Sequence, residues 1–166
     1  MSIIPATNSV IIINSELEGA QSWAERHGLK IEWLPETLEL RATFLQPETG
    51  NKFFLRGRFR DYKALPPEWT FTDEKWEATG RPRDFPEASP SPFGPSIFIS
   101  YNLSGIICAP FNQLAYSDHS GPHKNWGGPA NWLNADPSRV HADSIGDMLQ
   151  VIYRDFLMSR KRLESR

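Results

Sequence analysis

The chain holds one cysteine, Cys108, among 166 residues. A lone thiol forms no internal disulfide, and without a Cys-x-x-Cys pair there is no structural zinc framework. A reducing, cytoplasmic setting follows as the expectation. Long apolar runs are missing too: "SVIIIN" near the start offers four consecutive apolar residues, too few for a span and lacking the flanks of a signal peptide. Neither sign of charge dominates. With 18 basic and 20 acidic side chains the net charge is −2, so no overall basic field draws the chain to nucleic acid or to an anionic membrane.

What is present reads as one α+β domain. Ser15-Glu16-Leu17-Glu18 has the capping-box form, Leu17, Ala20 and Ala24 recur on one face, and Gly28 supplies a stop. A first helix over residues 15 to 27 is expected, with 1–14 as an extension before it. "LKIEWLPE", "TLELRATFLQ" and "KFFLRGRFRDY" alternate apolar and polar residues around turn chemistry, and a short strand from Trp69 to Phe71 follows Pro66-Pro67. Together they predict an antiparallel four-stranded meander.

"TGRPRDFPEASPSPFGPS" is an irregular Pro-rich excursion, and the apolar segment ending in Cys108 leads into a long loop, "SDHSGPHKNWGGPAN". Asp143 or Ser144 then caps a helix whose Ile145, Met148, Leu149, Ile152 and Phe156 form one stripe. The domain is expected to span 15–158, with 159–166 as a basic tail.

Two segments carry a resemblance. "FRDYKALPPEWTF" places a tyrosine ahead of a Pro-Pro pair and a strand, and "GIIC", Gly105 to Cys108, has the Gly-x-Ile-Cys form, with Trp132 before the last helix. In this order the motifs resemble the ubiquitin-conjugating (UBC) fold, and in particular divergent bacterial members encoded beside an activating enzyme and a ubiquitin-like modifier, including antiphage systems. The resemblance implies that Cys108 forms a thioester with the C-terminus of a ubiquitin-like protein, received from an activating enzyme, and passes the acyl group to an amine on a target protein. It implies no cofactor and no metal, and it makes the first helix and adjoining sheet the expected docking face for the activating enzyme. The sequence departs from the family in lacking His-Pro-Asn before the cysteine and in its long loop after it.

Several residues compete for the supporting roles. Asn102 and Asn112 each carry an amide suited to an oxyanion, although Asn102 also suits a turn. His119 and His123 suit a general base, a polar clamp or simple solvated loop positions, and His119 is preferred as nearer Cys108 in sequence. With Cys108 the two histidines also offer a third reading as metal ligands, which the intervening Gly-Pro disfavours. Cys108 itself is either the acyl carrier or a small buried hydrophobe. Tyr62, Pro66, Pro67 and Trp69 read as structural, and Trp126 as a cap over the site or an anchor for its own loop. Rivals to conjugation are a non-catalytic UBC- or RWD-like binding module and a Cys-His hydrolase.

Overall fold

A computed structural model describes residues 3–90, 92, 94–135 and 140–164, with side chains from residue 8 onward. The order is α1 (Ile3–Arg26), β1 (Lys30–Leu34), β2 (Glu39–Leu45), β3 (Lys52–Arg58), β4 (Glu68–Thr72), β5 (Phe98–Tyr101), β6 (Ser104–Ile107) and α2 (Ile145–Met158). Strands β1 to β4 form one antiparallel meander in chain order, and β5 and β6 form a separate hairpin. The fold is α+β, with an N-terminal helix, a four-stranded antiparallel sheet and a C-terminal helix.

α1 starts at Ile3, twelve residues before the expected cap. Ser15 is not a cap: its hydroxyl donates to the Ile12 carbonyl at 2.7 Å, the back-bonding a serine adopts inside a helix. The apolar stripe begins earlier as well, because Ile13 is fully buried in register with Leu17, Ala20 and Ala24. Gly28, at φ 65°, stops the helix as its sequence position suggested, since a left-handed residue is what a C-terminal turn requires.

One face of the sheet builds the core. Alternation along β2 and β3 turns Leu40, Ala42, Phe44, Phe53 and Leu55 inward, all buried. Phe156 of α2 packs on Phe44 and Phe53 with ring centroids 5.0 and 5.5 Å apart. Trp69 lies over its cross-strand partner Gly57, where a Cβ would come within 2.7 Å of the indole, and its Nε1 donates to Met148 Sδ at 3.4 Å. Glycine at 57 is therefore a packing requirement.

The opposite face carries charge. Glu39, 4% exposed, accepts from Arg41 at 2.7 Å and Arg58 at 3.2 Å. Burial alone would raise its carboxyl, but those arginines outweigh it and hold it below the usual range.

Glu16 ties three elements together. Its Oε1 accepts from the Tyr62 hydroxyl at 2.7 Å and from the Ile145 amide at the start of α2 at 2.8 Å, while Lys63 Nζ lies 3.2 Å from Oε2. Ser144 is the side-chain cap of that helix, accepting from the Asp147 amide at 3.2 Å. Residues 159–164, in the stretch expected as a basic tail, turn back onto the domain. Leu163 is buried, its amide donates to the Phe85 carbonyl at 2.8 Å, and Glu87 donates to Lys161 at 2.9 Å. The single leucine among the basic residues gives this stretch something to bury.

Glu16→Ala leaves the Ile145 amide and the Tyr62 hydroxyl without their charged acceptor. It should lower the unfolding free energy by about 3 kcal/mol, and Tyr62→Phe by about 1 kcal/mol, read from urea unfolding with fluorescence detection.

Candidate functional site

The hairpin sets the direction of the cysteine. Asn102 and Leu103 form its two-residue turn with φ of 49° and 66°, the left-handed pair that matches strand twist. Along β6 burial alternates: Gly105 and Ile107 point inward, and Ser104 and Ile106 are half-buried on the other face. Cys108 continues that outer row, half-buried, with its amide donating to the Ile97 carbonyl at 2.6 Å.

Beyond Cys108 the chain folds back through the 3-10 turns Gln113–Ala115 and Ser117–His119. These, with a third turn at Pro129–Asn134, replace the featureless loop expected there. Asn112 is fully buried and holds the bend. Its Oδ1 accepts from the amides of Trp69 at 2.9 Å and Leu114 at 3.2 Å, and its Nδ2 donates to the carbonyls of Trp69 at 3.0 Å and Ile107 at 2.7 Å. Every polar atom of that amide is committed to backbone, so Asn112 is a structural clamp and no oxyanion donor.

The loop then returns His123 to the cysteine. Gly121 passes so close to the preceding turn that a Cβ would lie 2.3 Å from the Ala115 carbonyl carbon, and its amide donates to Tyr116 at 2.9 Å. His123 then pairs with Tyr116 in a parallel bridge and brings Nε2 into contact with Cys108 Sγ. Trp126 stacks flat on the imidazole, with centroids 3.7 Å apart and planes 6° apart, and meets the Tyr116 ring edge-on at 5.4 Å. The Tyr116 hydroxyl donates to the Pro110 carbonyl at 2.7 Å, so one aromatic ring braces both sides of the site.

The preference for His119 over His123 is thus corrected. Sequence proximity was a poor guide because Gly121 reverses the chain between the two. His119 is exposed and its Nε2 lies 3.1 Å from Gln113 Nε2. Asn102 sits at the hairpin tip, separated from Cys108 by the length of β6, about 13 Å at strand rise, and so is no oxyanion donor for this thiol. Both instead line a groove of about 360 Å³ with Arg56, Glu68, Ser104 and Ile106. The metal reading fails on the same geometry: Cys108 and His123 meet, His119 turns to Gln113, and among the described residues no cluster of three metal-binding side chains forms.

Burial pushes the Cys108 thiol up to about 12, and burial also lowers His123, partly offset by a hydrogen bond with the Asn125 side chain. Both burial shifts favour the neutral forms, an S–H group beside a neutral imidazole, over a thiolate–imidazolium pair. Nε2 is the ring nitrogen that faces Sγ. Asn125 escaped the sequence reading; its signal was the spacing of an amide two residues after a histidine.

Among the described residues no helix is long and apolar enough to cross a membrane. No family model, curated protein or solved structure matches the chain.

The protonation state gives a direct test. Alkylation of Cys108 by iodoacetamide should be slow at pH 7 and rise continuously above pH 9, with no plateau between pH 5 and 7. A plateau there would show an ionised pair instead.

Proposed function

We propose that the protein is a UBC-like acyl carrier that takes the C-terminal acyl group of a ubiquitin-like protein onto Cys108 and passes it to an amine on a target. The observation that carries this reading is the half-buried Cys108 thiol in contact with His123 Nε2. Support also comes from the order in which the elements occur. A helix, a four-stranded meander, a cysteine at the end of an extended segment, a tryptophan and a closing helix follow one another in the order that the UBC resemblance implies.

The chemistry suits a protonated thiol. Exchange between thioesters is nearly isoenergetic, so Cys108 needs no permanent ionisation, only a base at the moment of attack. As Sγ attacks the donor carbonyl, His123 Nε2 takes the thiol proton; the donor thiolate leaves and receives that proton. One C–S bond forms and one breaks. In the second step an amine attacks the Cys108 thioester, His123 takes the amine proton, and Cys108 departs as a thiolate that recovers it. The product is an amide and the free thiol.

Asn125 beside His123 favours a second reading, because a Cys-His-Asn set also serves acyl hydrolases. Those enzymes depend on a thiolate prepared in advance, commonly at a helix N-terminus, whereas Cys108 follows a strand and its thiol is raised. Conjugation is the better fit. A binding module without chemistry gives no account of a thiol aimed at an imidazole. The implied partners are an activating enzyme, a ubiquitin-like modifier and a target, in a reducing compartment where a single thiol stays free; a bacterial, antiphage setting belongs to the same proposal.

Purified protein mixed with a ubiquitin-like protein, its activating enzyme and ATP should form an adduct that hydroxylamine releases and Cys108→Ala abolishes. His123→Ala should slow its formation by about 10²-fold, the lower end of general-base contributions. Turnover of a peptide bond without a stable adduct would favour the hydrolase instead.

A further inference from the structure

Two opposite charges line one groove without pairing. Arg56 on β3 and Glu68 on β4 both face the space of about 360 Å³ between the sheet and the β5–β6 hairpin. Arg56 pairs across the strands with Thr70, and Arg58 with Glu68, so Arg56 and Glu68 are diagonal neighbours whose bases stand about 7–8 Å apart. Among the described residues no ion pair joins them. Neither Cys108 nor His123 lines this groove.

Neither charge is satisfied elsewhere. Arg56 is 8% exposed, and its Nη1 donates to the Trp76 carbonyl at 3.1 Å. Its buried Nε makes no hydrogen bond and lies 3.9 Å from Glu39, a carboxylate already held by Arg41 at 2.7 Å and Arg58 at 3.2 Å. Nη2 is left for the groove that the side chain lines. Burial and the like charge of Arg58 pull the guanidinium below its ordinary value, against Glu39 and Glu68, so an added carboxylate at this edge is favourable. Glu68 is half-buried and, among the described residues, holds no hydrogen bond or ion pair.

A ligand with one pole leaves one of these groups opposed: phosphate meets Glu68, and a simple cation meets Arg56. A zwitterion answers both. The ammonium and carboxylate of an α-amino acid lie about 3 Å apart, and with a hydrogen bond of about 3 Å at each end they bridge a gap too wide for a direct ion pair. A peptide holds its two poles farther apart. Ile106 and Leu114, both half-buried, add apolar wall, and Tyr101 and Ser104 add hydroxyls, in a volume suited to one small molecule.

We infer that the groove between β3, β4 and the hairpin binds a free α-amino acid with an apolar side chain, its carboxylate on Arg56 and its ammonium on Glu68. The ligand joins the sheet to the hairpin and to the turn carrying His119 and Ser120.

The test titrates free L-leucine, L-methionine and L-phenylalanine into the isotope-labelled chain. At least one should shift the amide NMR signals of Thr70, Ser104 and Ser120 saturably. Its N-acetyl and carboxamide derivatives, each lacking one pole, should bind at least about tenfold more weakly. Glu68→Gln should weaken the free amino acid by a similar factor without weakening the N-acetyl derivative, which separates a lost ammonium contact from a damaged fold. Ala78→Trp, at an exposed wall position, should block binding while the urea unfolding midpoint stays unchanged. No saturable shift from any of the three at about 10 mM, equal binding of free and blocked forms, or an affinity indifferent to Glu68→Gln would overturn the site.

Discussion

A single buried amide holds the reactive segment in place. Asn112 makes four hydrogen bonds to backbone, two of them to Trp69 on β4 and one to Ile107 beside Cys108, and so fastens the chain after the cysteine to the sheet before it. Without those bonds four backbone groups, three of them buried, lose these partners, a cost of several kcal/mol in a domain whose whole stability is about 5–15 kcal/mol. The sheet is the rigid body in this relation. Trp69 is locked over Gly57 and against Met148, so the aromatic core on one side of β4 and the cysteine loop at its end are positioned by the same strand.

From that anchor the site is built in two steps. Asn112 sets the turn at Gln113–Ala115, and Gly121 lets the returning chain lie against Ala115, which lands His123 on Cys108. Trp126 and Tyr116 then fix the imidazole plane by stacking and by an edge-on contact. Burial raises the Cys108 thiol and lowers His123 against a smaller opposing contribution from Asn125, which favours the neutral forms, and a neutral thiol beside a neutral base suits a reaction that needs proton transfer only as the bond forms.

Strong periodic signals in the sequence located the fold. Alternation in "TLELRATFLQ" and the stripe from Ile145 to Phe156 match β2 and α2 closely. The start of α1 was hidden by Ser15, whose capping pattern is genuine at the level of residue types but is used inside a helix that already has apolar residues upstream. In the last stretch basic residues outnumber Leu163, so its burial leaves no periodic mark in the sequence. Within the site, the histidine that lies against Cys108 is not marked in its own segment. Which histidine reaches it depends on a chain reversal at Gly121 and on clamping by Asn112, both non-local, and neither leaves a periodic mark. Asn102 and His119 carry suitable chemistry, and the fold places them along a groove instead.

The central claim is that an acyl group on Cys108 leaves to an amine with His123 as the base. The most direct measurement preforms the acyl adduct on Cys108, removes the donor, and follows its decay by intact mass with and without a lysine amine across pH 6 to 9. The account predicts that decay in water alone is slow, that the amine accelerates it and gains an amide, and that His123→Gln suppresses the acceleration. Equal decay with and without amine, or an acceleration indifferent to His123, would contradict it.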